Sequence, residues 1–192
     1  MTQASPDTLA FMRSRRSRPA KTLTTPVPGP DDLRALLAIA ARTPDHGKLE
    51  PWRFLVLERP ALQRLAAAVA PHGHASGIEA ERIAKMERQF GDAHLAVAVI
   101  ASPKPSDKIP PVEQALSAGA VCYGLLIAAL AAGWGANWLT GWVAHDRGFA
   151  EGTLGLTENE TVAGFIHIGT ETAAAPERPR PDLESLITWV EA

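Results

Sequence analysis

The sequence predicts a one-domain mixed α/β or α+β fold, and three observations carry that reading. The chain has 192 residues, long enough for one well-buried core and too short for two ordinary domains. Hydrophobic residues make up 46% and charged residues 21%, the balance of a soluble globular protein. Along the chain, stretches with helical spacing of apolar residues alternate with short apolar runs of strand length, and there are no internal repeats.

The elements follow in order. Ser5-Pro6-Asp7 reads as a helix start, with Ser5 as N-cap, Pro6 at the first helical position and Asp7 against the dipole. That helix is expected to reach about Arg15. Thr22 to Pro30 is rich in Pro and Thr and reads as an extended surface segment. Pro30-Asp31-Asp32 opens a second helix, with Leu33, Leu36, Leu37, Ala40 and Ala41 on one face and Pro44 as its stop. Phe54 to Leu57 is a buried strand, Pro60 to Val69 a helix, and Gly77 to Phe90 a charged amphipathic helix. Leu95 to Ile100 is an uninterrupted apolar strand. Val112 to Ala132 is a long apolar helix closed by Gly133. Its uncharged core approaches membrane-span length, but small residues throughout and Glu113 and Gln114 at its start favour a buried central helix. Trp134 to Leu139 and Val162 to Ile168 are further strands. A Pro-rich segment from Glu171 to Pro181 precedes an apolar end, Leu183 to Val190, which is expected to pack on something, such as another subunit.

Composition excludes some functions. The net charge of -2 argues against general nucleic-acid binding, although Arg13, Arg15, Arg16 and Arg18 form a local basic cluster. The single cysteine, Cys122, lies in the apolar helix and reads as an inert core residue; its solitude fits a reducing compartment. Met1 to Asp7 lacks a basic stretch followed by an apolar core, so no secretory signal is expected and a cytoplasmic location is the default. There is no Walker-type phosphate loop, no strand-borne Gly-x-Gly-x-x-Gly and no Gly-x-Ser-x-Gly elbow. The six histidines show no metal-ligand spacing, so no metal is expected.

The richest stretch runs from Arg42 to Phe54. It packs Pro44, Asp45, His46, Gly47 and the Pro51-Trp52 step into a loop between a helix and a strand, where function often sits. Upstream, Arg15-Arg16-Ser17-Arg18 suits an anion such as phosphate, because guanidinium forks bind phosphate oxygens in pairs and a serine adds a donor. Each cluster has an alternative reading from its residues alone. The arginines suit a solvated helix C-terminus, and Asp45 and His46 suit an ordinary turn.

Taken in order, Arg15-Arg16-Ser17, Pro44-Asp45-His46 with Pro51-Trp52, Ser117-Ala118-Gly119, Gly133 to Trp138 and Gly164 to Thr170 resemble the nitroreductase superfamily, most closely its small minimal-scaffold branch of NAD(P)H nitroreductases. The resemblance spans about Leu9 to Thr170. It implies an α+β fold with a central mixed sheet flanked by helices, a long buried central helix, and a homodimer with FMN at the interface. It implies that Arg15, Arg16 and Ser17 hold the FMN phosphate and ribityl chain, that Arg42 and His46 reach FMN from the partner chain, and that Trp138, Leu139 and Thr140 lie against the flavin ring. Ala128 to Gly133 matches a stretch linked to nicotinamide contact, but it carries no recognising side chain and reads first as helix packing. Many members have Gln before Pro-Trp; here Glu50 stands there, so it is expected to point away from the ring or to pair with an arginine.

The activity implied is two-electron transfer from NAD(P)H through FMN to a nitroaromatic, quinone or similar acceptor by a ping-pong scheme, with the cofactor supplying the chemistry and no obligatory catalytic side chain. Arg16, Arg18 and Arg42 are alternative sources of positive charge near the ring. The same scaffold also supports dehydrogenation, dehalogenation and flavin cleavage, and a non-catalytic flavin-binding protein is a further alternative. Neither nucleic acid nor membrane is expected as a partner.

Overall fold

The computed structural model describes residues 3–191. The described residues form six helices, α1 (Pro6–Ser14), α2 (Pro30–Ala40), α3 (Arg59–Ala75), α4 (Ala80–Gly91), α5 (Pro111–Ala131) and α6 (Arg147–Leu154), and a five-stranded sheet of β1 (Leu23–Thr24), β2 (Trp52–Glu58), β3 (Leu95–Ala101), β4 (Gly135–Leu139) and β5 (Thr161–Glu171). β5 is the spine of the sheet and pairs with β1, β3 and β4, while β2 pairs with β3.

The α+β architecture holds, but the strands pair antiparallel at every interface rather than as a mixed sheet. The connection between β2 and β3 gives a physical reason. It contains two helices, α3 and α4, which run away and back. The chain therefore re-enters the sheet at the end where it left, and the next strand runs the opposite way.

Side-chain alternation on β3 sorts the core into two layers. Ala96, Ala98 and Ile100 face a cluster built with Leu62, Leu65 and Val69 of α3, Met86 and Phe90 of α4, and Phe149 of α6. Leu95, Val97 and Val99 face a second cluster built with Leu33 and Leu36 of α2 and Val121, Leu125 and Ala129 of α5. Both faces of β3 are covered, which is why its sequence reads as one apolar run.

Several expectations shift. α5 is not buried all round: only half of its most apolar stretch is covered, and Val112, Leu116 (68% exposed) and Tyr123 stand out from the chain. A helix packed on one side of a sheet covers one stripe, and among the described residues no other element covers Val112, Leu116 or Tyr123. Ser5 occupies the N-cap position of α1, but its hydroxyl pairs with Thr8 Oγ1 at 2.7 Å instead of capping the backbone. α3 runs well past Val69, because Gly73 lets Ile83 and Trp142 pack where a side chain would stand. α6 is not foreseen from periodicity, being only eight residues long; its signals are Asp146, whose Oδ1 accepts from Phe149 N at 2.6 Å, and the left-handed Gly155 that ends it.

Candidate functional site

The basic cluster is set by the end of α1. Arg15 N still donates to Phe11 O, but Arg15 itself turns to extended geometry and ends the helix. The chain then runs alongside β4, fixed by Arg18 N donating to Ala136 O at 2.8 Å. Arg15, Arg16, Ser17 and Arg18 are all half-buried there. Arg15 Nε, Arg16 Nη1 and Arg18 Nε are shut off from solvent without a hydrogen bond among the described residues. Carboxylates do approach two of them: Glu177 lies 3.1 Å from Arg16 Nη1 and Glu171 2.7 Å from Arg18 Nε. Both sit off the N–H direction, so these are ion contacts and leave the donor orphaned. A buried donor without an acceptor is costly. Three of them in one segment, all on guanidinium groups, are donors of the kind that suit an oxyanion. Arg180 lies 3.3 Å from Glu177 and so joins the group from the C-terminal segment. That residue is missing from the sequence reading; the Arg178-Pro179-Arg180-Pro181 alternation was its only signal.

Four residues along the strand from Ala136 stands Thr140, about 13 Å away at strand rise. Trp138 lies over β5 at Gly164, where any Cβ would collide with the indole, and its Nε1–H donates to Ala163 O at 3.3 Å. The ring is therefore pinned against the sheet. Leu139 and Thr140 are half-buried and, with Trp138, line a cavity of about 420 Å³ whose opposite wall is α4.

The Arg42–Phe54 loop is held on α5. Ser117 Oγ donates to Pro44 O at 2.9 Å and accepts from Trp52 Nε1 at 3.2 Å. His46 Nδ1 lies 2.6 Å from Glu113 Oε2. Asp45 Oδ2 accepts from Glu50 N at 2.6 Å and closes the turn. Inside that closure Gly47, Lys48 and Glu50 all take positive φ, a strained arrangement for the last two. Strain of this kind persists where the surroundings fix the backbone, and it gathers at ligand-holding segments. Glu50 is exposed and makes no ion pair with an arginine among the described residues; it lines an open cleft of about 490 Å³ with Asp45, Lys48 and Trp52. Arg42 and His46 are exposed.

The residues singled out from the sequence therefore fall into two groups. Arg15, Arg16 and Ser17 precede Arg18, whose N–H donates to Ala136 of β4, the strand that carries Trp138 and Leu139 and leads into Thr140. Arg42 and His46 belong to the loop on α5, and no hydrogen bond or ion pair among the described residues joins them to the first group. Sequence reading did not find Ser117 as the anchor of that loop, because a serine on an apolar helix gives no signal of its own.

Other ionisable groups serve the frame. Burial pushes the Cys122 thiol up to about 12, so it stays protonated. Burial lowers His167 to about 4, and both its ring nitrogens lack partners. Glu160 is lowered to about 2, chiefly by the two-pronged hydrogen bond from Arg53 at 2.6 and 2.8 Å. Ala128 to Ala132 on α5 carries no polar side chain, and Ala128 and Ala129 are buried in the core. Among the described residues no group of three His, Cys, Asp or Glu could hold a metal ion.

Comparison with known proteins places this arrangement. The model of the nitroreductase family matches residues 12–170. A Haemophilus influenzae protein named "Putative NAD(P)H nitroreductase" is 32% identical over 186 residues, covering 96% of this chain and all of that one. Among solved structures, a nitroreductase-like family protein from Bacillus cereus superimposes with a TM-score of 0.80 at 23% identity, covering both chains completely. A Desulfovibrio desulfuricans protein described as "a putative nitroreductase in complex with FMN" superimposes with a TM-score of 0.74 at 21% identity over 99% of this chain and all of that one.

Proposed function

The chain belongs to the nitroreductase family, and from that premise we propose that it is an FMN-dependent oxidoreductase that draws two electrons from NAD(P)H and passes them to a nitroaromatic, a quinone or a similar electron-poor acceptor. When bound, FMN supplies the two-electron chemistry, and donor and acceptor use the same place in turn, a ping-pong scheme.

The observation that carries this reading is the set of orphaned guanidinium donors on Arg15, Arg16 and Arg18. They fit a phosphate monoester, which offers several acceptor oxygens and about two negative charges at neutral pH. Ser17, half-buried beside them, adds a hydroxyl donor. Glu177 and Glu171 hold the clamp's place by ion contact, so phosphate entry releases carboxylates rather than breaking aligned hydrogen bonds. Further along β4, Leu139 and Thr140 bound the space for a flat ring, with Trp138 pinned behind them. The residues of this chain hold, orient and screen; none is assigned a proton transfer.

Arg42 and His46 complete the site from a second copy of the chain in this reading. Supporting it are their exposure, their separation from the clamp within one chain, and an unpartnered apolar surface. That surface comprises Val112, Leu116 and Tyr123 of α5, Ile39 of α2, and the C-terminal Leu183, Leu186, Trp189 and Val190, the last 90% exposed. Exposed large apolar side chains in this number belong in a protein interface, and in this reading the segment beyond residue 171 packs on the partner subunit. The free, buried Cys122 and a nicotinamide donor fit the reducing cytoplasm.

The test is an anaerobic absorbance spectrum of the purified protein before and after NADPH and NADH. A flavin spectrum that bleaches with either donor and recovers on adding a nitroaromatic or quinone is the expected result. A flavin that neither donor bleaches would point to flavin binding without this activity, and no flavin after reconstitution with FMN would overturn the reading.

A further inference from the structure

The chain beyond β5 is tied to the rest of the molecule at one point. β5 itself is fixed to its end: Glu171 pairs with Leu23, and Thr172 N and Oγ1 both donate to Thr22 O, at 3.0 and 2.9 Å. From 173 to 191 the chain forms no helix or strand, and every residue but Ala175 is exposed. Its hydrogen bonds are internal: Arg178 N donates to Glu177 Oε1, Glu184 N and Ser185 Oγ donate to Asp182, and Leu186 N donates to Leu183 O. Among the described residues a single ion pair crosses from this segment to the body, Glu177 Oε1 to Arg16 Nη1 at 3.1 Å. Arg16 Nη1 is also one of the three buried guanidinium nitrogens without an aligned acceptor. The tether of the segment and the anion clamp therefore share one atom.

The two candidates for that atom are unequal. The Glu177 side chain is 75% exposed and brings one negative charge, at an angle that makes no hydrogen bond to Arg16. A phosphate monoester brings about two charges and several oxygens, and Arg15, Ser17 and Arg18 flank Arg16 to share them. Glu171 differs from Glu177, because strand pairing with Leu23 holds its backbone beside Arg18. Resting on the flavin-binding reading above, we infer that Glu177 is a competitive latch on the phosphate clamp: it ties the segment from 173 to 191 to Arg16 in the cofactor-free chain, and FMN binds by displacing it. The coupling is reciprocal, so whatever factor the latch takes from FMN affinity, bound FMN takes from the hold on the segment. Cofactor loading thus releases the end that carries the exposed Leu183, Leu186 and Trp189 for docking elsewhere.

In the experiment, full-length cofactor-free protein is titrated with FMN, with riboflavin, which lacks the phosphate, and with inorganic phosphate. Low ionic strength is used, because an exposed ion contact acts most strongly there. Quenching of flavin fluorescence gives the two flavin dissociation constants, and the shift of thermal unfolding gives that of phosphate. The wild type is compared with Glu177→Gln and with Glu184→Gln, which removes an exposed charge further along the same segment. Glu177→Gln is expected to bind FMN about three- to fivefold more tightly than the wild type, the span of a partly exposed ion contact. Phosphate should follow FMN, riboflavin should be unchanged, and Glu184→Gln should match the wild type. Unchanged or weaker FMN binding by Glu177→Gln would overturn the inference. So would an equal gain for riboflavin, which would place the effect at the ring or on the fold, or an equal gain in Glu184→Gln, which would reduce it to net charge. Should no FMN bind to any of the three proteins, the flavoprotein reading fails, while the phosphate titration still decides the latch: tighter binding by Glu177→Gln supports it and equal binding overturns it.

Discussion

Two arginine sites in this molecule share a residue type and differ in everything that follows from it. Arg53 meets Glu160 with two aligned hydrogen bonds, and Arg147 caps the same region by donating to the backbone of Glu160 at 2.7 Å and to Thr157. Arg15, Arg16 and Arg18 sit equally out of solvent's reach at their orphaned nitrogens, yet their carboxylate neighbours are misaligned or absent. The first site is closed: its charges are answered within the chain, so it stabilises the sheet edge. The second is open in its hydrogen bonding: Glu177 and Glu171 answer two of its charges by ion contact, but three guanidinium N–H groups have no aligned acceptor among the described residues. Arginines whose donors are satisfied hold a fold together, whereas arginines with buried unsatisfied donors mark where a ligand belongs.

That contrast breaks most visibly at the closed site. Arg53→Ala should cost about 3 kcal/mol, the low end of the range for breaking a buried pair, because Glu160 is 7% exposed but Arg53 37%. Urea unfolding measures it; a loss under about 1 kcal/mol would mean the pair does not brace the sheet. FMN affinity of the folded variant should match that of the wild type.

At the open site the pattern inverts. Arg15→Ala should leave the stability of the cofactor-free protein unchanged and weaken FMN binding about 10- to 100-fold, the worth of one charge-assisted hydrogen bond. Flavin titration and unfolding of the same sample give both numbers. A large loss of apo stability with intact FMN binding would move Arg15 into the closed class.

Acid sharpens the comparison further. Glu160 titrates at about 2 in the fold against 4.5 ordinarily, so its contribution is complete above 4.5 and is lost as pH falls towards 2. His167 is also depressed, to about 4 from 6.5, so the fold keeps its full stability above 6.5 and loses it as pH falls from 6.5 to about 4, where the unfolded chain takes up a proton that the buried ring does not. Unfolding should therefore show two acid steps. His167→Leu should flatten the upper one and Glu160→Gln the lower one; a profile unchanged in either variant would show that other groups govern acid stability.

The smallest effect belongs to the loop on α5. Glu113→Gln removes the charge facing His46 at a largely exposed pair, and stability should move by no more than about 0.5 kcal/mol. Thermal unfolding reads this directly. A larger loss would show that this contact, rather than Ser117, anchors the loop.

Much of the fold is legible in the chain. Pro30-Asp31-Asp32 starts α2 where expected, the apolar run Leu95 to Ile100 is the doubly covered β3, and Gly133 ends α5 with a positive φ. These signals are local: a proline at a first turn, an unbroken apolar run, a glycine where L-residues rarely go. α6 escaped because one short helix carries too little periodicity to register. The arginine cluster and the Pro-Asp-His loop were also readable, because unusual residues crowded into few positions stand out without any coordinates.

The tertiary structure decided what the sequence left open. Whether Arg15 and Arg53 are paired depends on Glu160, distant from both in the chain, lying opposite one and not the other. Which side of α5 is covered depends on how the sheet is placed beneath it, since a helix apolar all round gives no preferred face. The cavity beside Leu139 draws Met86 and Gln89 from α4 and Trp142 from the turn after β4, residues more than fifty positions apart that only the packing of α4 near that turn unites. Local chain chemistry fixes where elements begin and end; the pairing of distant charges and donors is a property of packing, and the proposed function rests on the donors that packing left unpaired.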